Sequence, residues 1–113
     1  MGMIEGGELA RWKEISKPKK VLKETLSNIR KAYLKAKVIH ADLSEYNIIL
    51  KPDMHILIID WPQYVTRDHP NAQQFLTRDI QNILRFFKSK HEINIKLKDA
   101  LDYVTGYGKL LGL

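Results

Sequence analysis

An α+β fold, mainly helical and carrying one small β-hairpin, is the class this sequence predicts. Three observations point there. Residues 18–37 and 72–91 repeat apolar side chains every three or four positions, the mark of helices that bury one face. Between them, residues 48–50 and 55–59 are short β-branched runs separated by Lys51-Pro52-Asp53-Met54, a turn composition. A length of 113 residues is enough for one hydrophobic core and short for two.

Taken in order, residues 1–9 contain Gly2, Gly6 and Gly7 and read as an extended or loop segment. Pro18 suits a first helical turn. Val21, Leu22, Thr25, Leu26, Ile29, Ala32, Tyr33 and Ala36 then form one apolar face to about Lys37, with most of the lysines off that face. Val38-Ile39 is a short apolar pair ahead of a polar run. The hairpin that follows cannot stand alone in water and must pack on the helices. Residues 60–70 hold two prolines and read as irregular. Asn71 and Gln74 have capping-box spacing and open a second long helix ending near His91. A shorter third helix is expected within residues 97–105, stopped by Gly106.

Composition narrows the function classes. The longest apolar run is Ile56 to Ile59, far short of a membrane span, and no secretory signal is expected. The absence of cysteine rules out disulfides and thiolate metal sites and fits a cytoplasmic protein. None of the four histidines is spaced three or four residues from another, so no histidine metal site is expected. The net charge of +6 lies in the first third, where residues 1–37 hold ten Lys or Arg against four Glu. Such a segment is either a solvated lysine face or a contact for nucleic acid.

One constellation carries chemistry. His40-Ala41-Asp42-Leu43-Ser44-Glu45-Tyr46-Asn47 has the pattern H-x-D-x-x-x-x-N, and Asp60 ends the apolar run 56–59. The two features bracket the hairpin, so Asn47 and Asp60 should emerge together at its open end. Magnesium favours one or two protein oxygens completed by phosphate and water, which an Asn amide and an Asp carboxylate would supply. Asp42 could then orient a hydroxyl or water and accept its proton. His40 is expected to brace the loop. Asp79 lies within about 40° of Ala72, Phe75, Ile83 and Phe86 on the apolar face of its helix, and a buried carboxylate there must be hydrogen-bonded or paired.

On these residues the chain resembles the RIO-type atypical serine/threonine protein kinases. The loop HADLSEYN (40–47) and the segment Ile58-Ile59-Asp60-Trp61-Pro62-Gln63 look like the catalytic and metal-binding loops of that family. His69-Pro70-Asn71-Ala72, Arg78-Asp79-Ile80 and Arg85-Phe86-Phe87 extend the match. The Asp-Trp-Pro-Gln and His-Pro-Asn-Ala pieces resemble the second, archaeal-like subfamily, and HADLSEYN also the first. The resemblance implies a kinase-like C-terminal lobe over residues 1–113, opening on a hinge-like segment at 1–9, with the N-lobe and winged helix absent.

The resemblance also implies roles and partners. Asp42 becomes the catalytic aspartate, Asn47 a magnesium ligand, and Asp60 the metal-binding aspartate and a candidate acceptor of phosphate from ATP. Backbone groups near Met3 and Glu5 would contact adenine, and Asp79 would accept N–H bonds from the catalytic loop. ATP and Mg2+ are the implied cofactors, and small ribosomal subunit maturation the implied setting, with the basic helix 18–37 meeting rRNA or a ribosomal protein. Ala41 stands where ordinary kinases have Arg, and about ten residues separate Asp60 from the next helix. Both departures disfavour an activation segment and favour ATP hydrolysis or self-phosphorylation. The alternative is a non-catalytic ribosome- or RNA-binding module built on a kinase lobe. An apolar surface facing the missing lobe, including Ile4 and Trp61, is expected to favour a homodimer.

Overall fold

In the computed structural model, the description covers residues 7–12 and 14–108; Met3, Ile4 and Glu5, named above, lie outside it. The order of elements is β1 (Gly7–Glu8), a 3-10 turn (Leu9–Arg11), α1 (Pro18–Lys31), β2 (Val38–Ile39), β3 (Ile48–Leu50), β4 (Ile56–Ile58), β5 (Val65–Thr66), α2 (Ala72–His91) and α3 (Leu97–Val104). This is the helical α+β class the sequence predicts.

α1 forms where the apolar spacing requires it, burying Val21, Leu22, Thr25, Leu26 and Ile29. The buried Thr25 hydroxyl is satisfied by donating to the Val21 carbonyl at 2.8 Å. The helix then widens into a π turn, Ala32–Ala36, and ends on Lys37 in the left-handed region at φ 60°. That stop delivers the chain directly into β2.

The hairpin alternates as a half-buried strand pair should. Ile48 and Leu50 on β3 and Ile56 and Ile58 on β4 point into the core, while Ile49 is half-buried and Leu57 exposed. Its register pairs Ile48 with Ile58 and Leu50 with Ile56. Two short strands sharpen the sequence expectation. Residues 7–8, expected as extended or loop, are extended and add a third strand, giving the order β1-β3-β4. Residues 65–66, expected to be irregular, pair antiparallel with β2. Two-residue strands are too short to show a period, so neither was visible as a pattern.

α2 runs to His91 as expected, but its capping box does not form. Asn71 adopts φ −105°, ψ 18° and makes no side-chain cap bond, because its backbone is outside the extended region that aims a cap side chain at the first turn. The preceding turn serves instead: the Ala72 N–H donates to the His69 carbonyl and the Asn71 N–H to His69 Nδ1, both at 3.0 Å. α3 packs on both long helices. Gly106 follows it at φ 92°, a conformation a Cβ disfavours. No described helix is long and apolar enough to cross a membrane.

His91 closes α2 with its ring 5.7 Å from those of Phe86 and Phe87, and its Nε2 is buried with no partner among the described residues. Burial, with Lys90 adding repulsion, holds its pKa below the ordinary histidine value. The folded state therefore prefers the neutral ring. The associated stability is intact above the ordinary value and is lost as pH falls through it toward the lowered one. Urea midpoints measured from neutral to mildly acidic pH should fall in the wild type, and less steeply in His91→Gln.

Candidate active site

Asp42 is exposed, yet the backbone N–H and carbonyl of both its neighbours are held. Asp79, 1% exposed, accepts from the Ala41 N–H at 2.8 Å through Oδ2 and from the Leu43 N–H at 3.0 Å through Oδ1. Arg78 donates to the Ala41 carbonyl at 2.6 Å and Asn82 to the Leu43 carbonyl at 3.1 Å. Three side chains of α2 thus fix the peptide groups on both sides of Asp42. Ala41 sits at φ 74°, a left-handed conformation that costs a non-glycine residue about 1–2 kcal/mol, and these four bonds hold it there.

Burial pushes the Asp79 pKa up from the ordinary carboxylate value. The two backbone N–H bonds oppose that rise, as do the nearby His40 and Arg78. The expected role as a brace is the observed one. Arg78 and Asn82 were not foreseen as braces, although they flank Asp79 at positions i−1 and i+3 of the same helix.

His40 joins the two loops. Its Nδ1 accepts the Asp42 N–H at 3.2 Å, so Nε2 carries the proton and donates to the Ile59 carbonyl at 2.8 Å. Ile59 immediately precedes Asp60, which stands at φ 62°. The neighbouring Ile58 carbonyl accepts from Trp61 Nε1 at 2.9 Å, and the Trp61 ring lies 4.9 Å from that of His40. Trp61, expected on an exposed apolar patch, is instead half-buried against the core. Asp60 is thus left-handed between two residues that are themselves anchored, Ile59 by His40 and Trp61 by the Ile58 carbonyl.

The hairpin brings Asn47 and Asp60 together as predicted. The Ile59 N–H donates to the Asn47 carbonyl at 2.8 Å. Among the described residues the Asp60 and Asp42 carboxylates have no hydrogen-bond or ion-pair partner. Asn47 differs: its Oδ1 accepts from the Ser44 N–H at 3.0 Å and the Ser44 hydroxyl at 3.1 Å. The pair forms a capping box for the 3-10 turn Glu45–Asn47, and the spacing Ser44-x-x-Asn47 was its signal in the sequence. These are hard oxygen donors, and one carboxylate plus one amide oxygen suits a magnesium ion that keeps phosphate and water ligands. The residues present fit that ion once the Asn47 oxygen is released from Ser44.

The chain is similar to known proteins over most of its length. The model of the RIO domain family matches residues 1–100. The chain is 36% identical over 114 residues to the RIO-type serine/threonine-protein kinase Rio2 of Methanocaldococcus jannaschii, covering 93% of this chain and 42% of that protein. It is 40% identical over 87 residues to Rio1 of the same organism, covering 77% of this chain and 28% of that protein. The crystal structure of the Rio2 kinase–ADP/Mg2+–phosphoaspartate complex from Chaetomium thermophilum superimposes with a TM-score of 0.73 at 26% identity, over 96% of this chain and 37% of that one. The chain therefore spans about two fifths or less of the length of these relatives.

Replacing Asp79 tests the brace. Asp79→Ala leaves two buried N–H groups unpaired and should cost about 2–6 kcal/mol, from 1–3 kcal/mol for each, read by urea unfolding. Asp79→Asn restores one acceptor and should recover part of that loss.

Proposed function

Because this chain belongs to the RIO family of kinases, we propose that it carries the catalytic and metal-binding loops of an ATP-dependent serine/threonine kinase or ATPase. The observation that supports this most is the double tie of His40, which sets Asp42 and Asp60 in one frame although 18 residues separate them.

In this reading Asp60 and Asn47 hold Mg2+, which when bound neutralises charge on the phosphate oxygens of ATP. Asp42 accepts the proton of the attacking hydroxyl or water, its free carboxylate facing solvent from a rigid backbone. Asp60 is also the candidate phosphate acceptor. A carboxylate oxygen attacks the γ-phosphorus, the bond from that phosphorus to the β–γ bridging oxygen breaks, and ADP leaves with the electron pair. The phosphoaspartate named in the Chaetomium thermophilum Rio2 complex supports that step.

The setting we propose is small ribosomal subunit maturation in the cytoplasm. Lys19, Lys20, Lys23 and Lys31 are exposed along α1, and Lys35 and Lys37 continue the row, a cationic face suited to rRNA or an acidic protein surface. A non-catalytic RNA-binding module would use the same face but gives no reason for the strained Asp60 turn.

Calorimetry with Mg-ATP tests the proposal. Magnesium-dependent binding should be present in the wild type and lost in Asp60→Ala. Incubation with γ-labelled ATP should leave a hydroxylamine-labile label that Asp60→Asn abolishes and Asp42→Asn retains. Equal binding by the wild type and Asp60→Ala would overturn the metal assignment.

A further inference from the structure

A groove of about 420 Å³ runs between the turn that follows Asp42 and the second half of α2. Ser44 and Tyr46 form one wall, Asn82, Arg85, Ser89 and Lys90 the other, and the buried Phe86 the floor, with Glu45 also on the lining. Ser44 is two residues from Asp42, a Cα separation of at most about 7 Å, so the loop wall of the groove begins near the proposed base.

The chemistry of the groove is cationic. Arg85 and Lys90 make no ion pair among the described residues, and the exposed ionic residues of α2 are Arg78, Arg85, Lys88 and Lys90, its only acid being the buried Asp79. Glu45 offsets one charge at the loop wall. Tyr46, 61% exposed, offers a flat ring beside these cations, while the Ser89 hydroxyl supplies a hydrogen-bonding group for a peptide, the Ser44 hydroxyl and the Asn82 NH2 being engaged on Asn47 and Leu43.

Resting on the kinase reading above, we propose that this groove docks the phosphoryl acceptor, and that the acceptor is an acidic polypeptide segment with Asp or Glu flanking its hydroxyl residue. Cationic side chains at the mouth of a site speed the arrival of an anionic partner and repel a basic one, an effect that salt screens.

Fluorescence anisotropy without nucleotide reads the docking alone. The probes are a labelled serine peptide flanked by Asp and Glu, its Lys/Arg counterpart of equal length, and a single-stranded oligouridine. The acidic peptide should bind at least about tenfold more tightly than the basic one, and the preference should shrink at high salt. The double variant Arg85→Glu/Lys90→Glu should lose that preference with ATP hydrolysis unchanged, while Arg85→Lys/Lys90→Arg should keep it. Unchanged acidic-peptide binding in the Glu variant, or preference for the oligouridine, would overturn the proposal. Absence of ATP turnover in all three proteins would count against the kinase reading instead, and the anisotropy comparison would still decide the groove.

Discussion

The buried carboxylate of Asp79 is the interaction on which the candidate site depends. An ionised carboxyl is costly to place in a core, and here its two oxygens take the N–H groups on either side of Asp42. Each partner solves the other's problem: the loop amides gain acceptors away from water, and the carboxylate gains donors. Arg78 and Asn82, one turn of the same helix, hold the matching carbonyls. α2 is thus the platform of the site as well as part of the core, and the left-handed Ala41 persists because four bonds over-determine it.

A second device carries that rigidity across to Asp60. The His40 ring is one donor and one acceptor in a fixed plane, so binding the Asp42 N–H at one nitrogen commits the other to the Ile59 carbonyl. Trp61 anchors the adjoining carbonyl and packs on the same ring. The two loops therefore share one imidazole, and neither can shift without breaking a bond to it. Under the proposed function such rigidity would serve phosphoryl transfer, which depends on positioning and charge more than on covalent work by the protein.

Much of this was legible in the sequence, for physical reasons. The long helices were readable because burial forces a 3.6-residue period over many turns, and the hairpin because β-branched runs flanked a turn. Asp79 could be placed on the apolar face from spacing alone, and the same spacing told that it needed donors. What escaped was short or relational. β1 and β5 are two residues each, below any period. The failed cap at Asn71 turned on a backbone dihedral that residue types do not encode. Trp61 was misread as exposed because its partners, His40 and the Ile58 carbonyl, come together only through the strand exit.

The distribution of exposure lets the candidate site be rigid while its two carboxylates stay unengaged. A carboxylate fixed by bonds to its own oxygens would be positioned but chemically occupied. In this chain the oxygens of Asp42 and Asp60 are free among the described residues, and the fixing is done one atom layer back, on backbone groups. Asn47 is the exception, its oxygen held by Ser44. That difference separates two unengaged carboxylates from an amide held in a loop contact, which in the proposed function it would have to give up. If the proposed metal took the Asn47 oxygen, it would loosen the turn at Ser44, the same turn that walls the cationic groove, so the proposed metal binding and the proposed docking would meet at one residue.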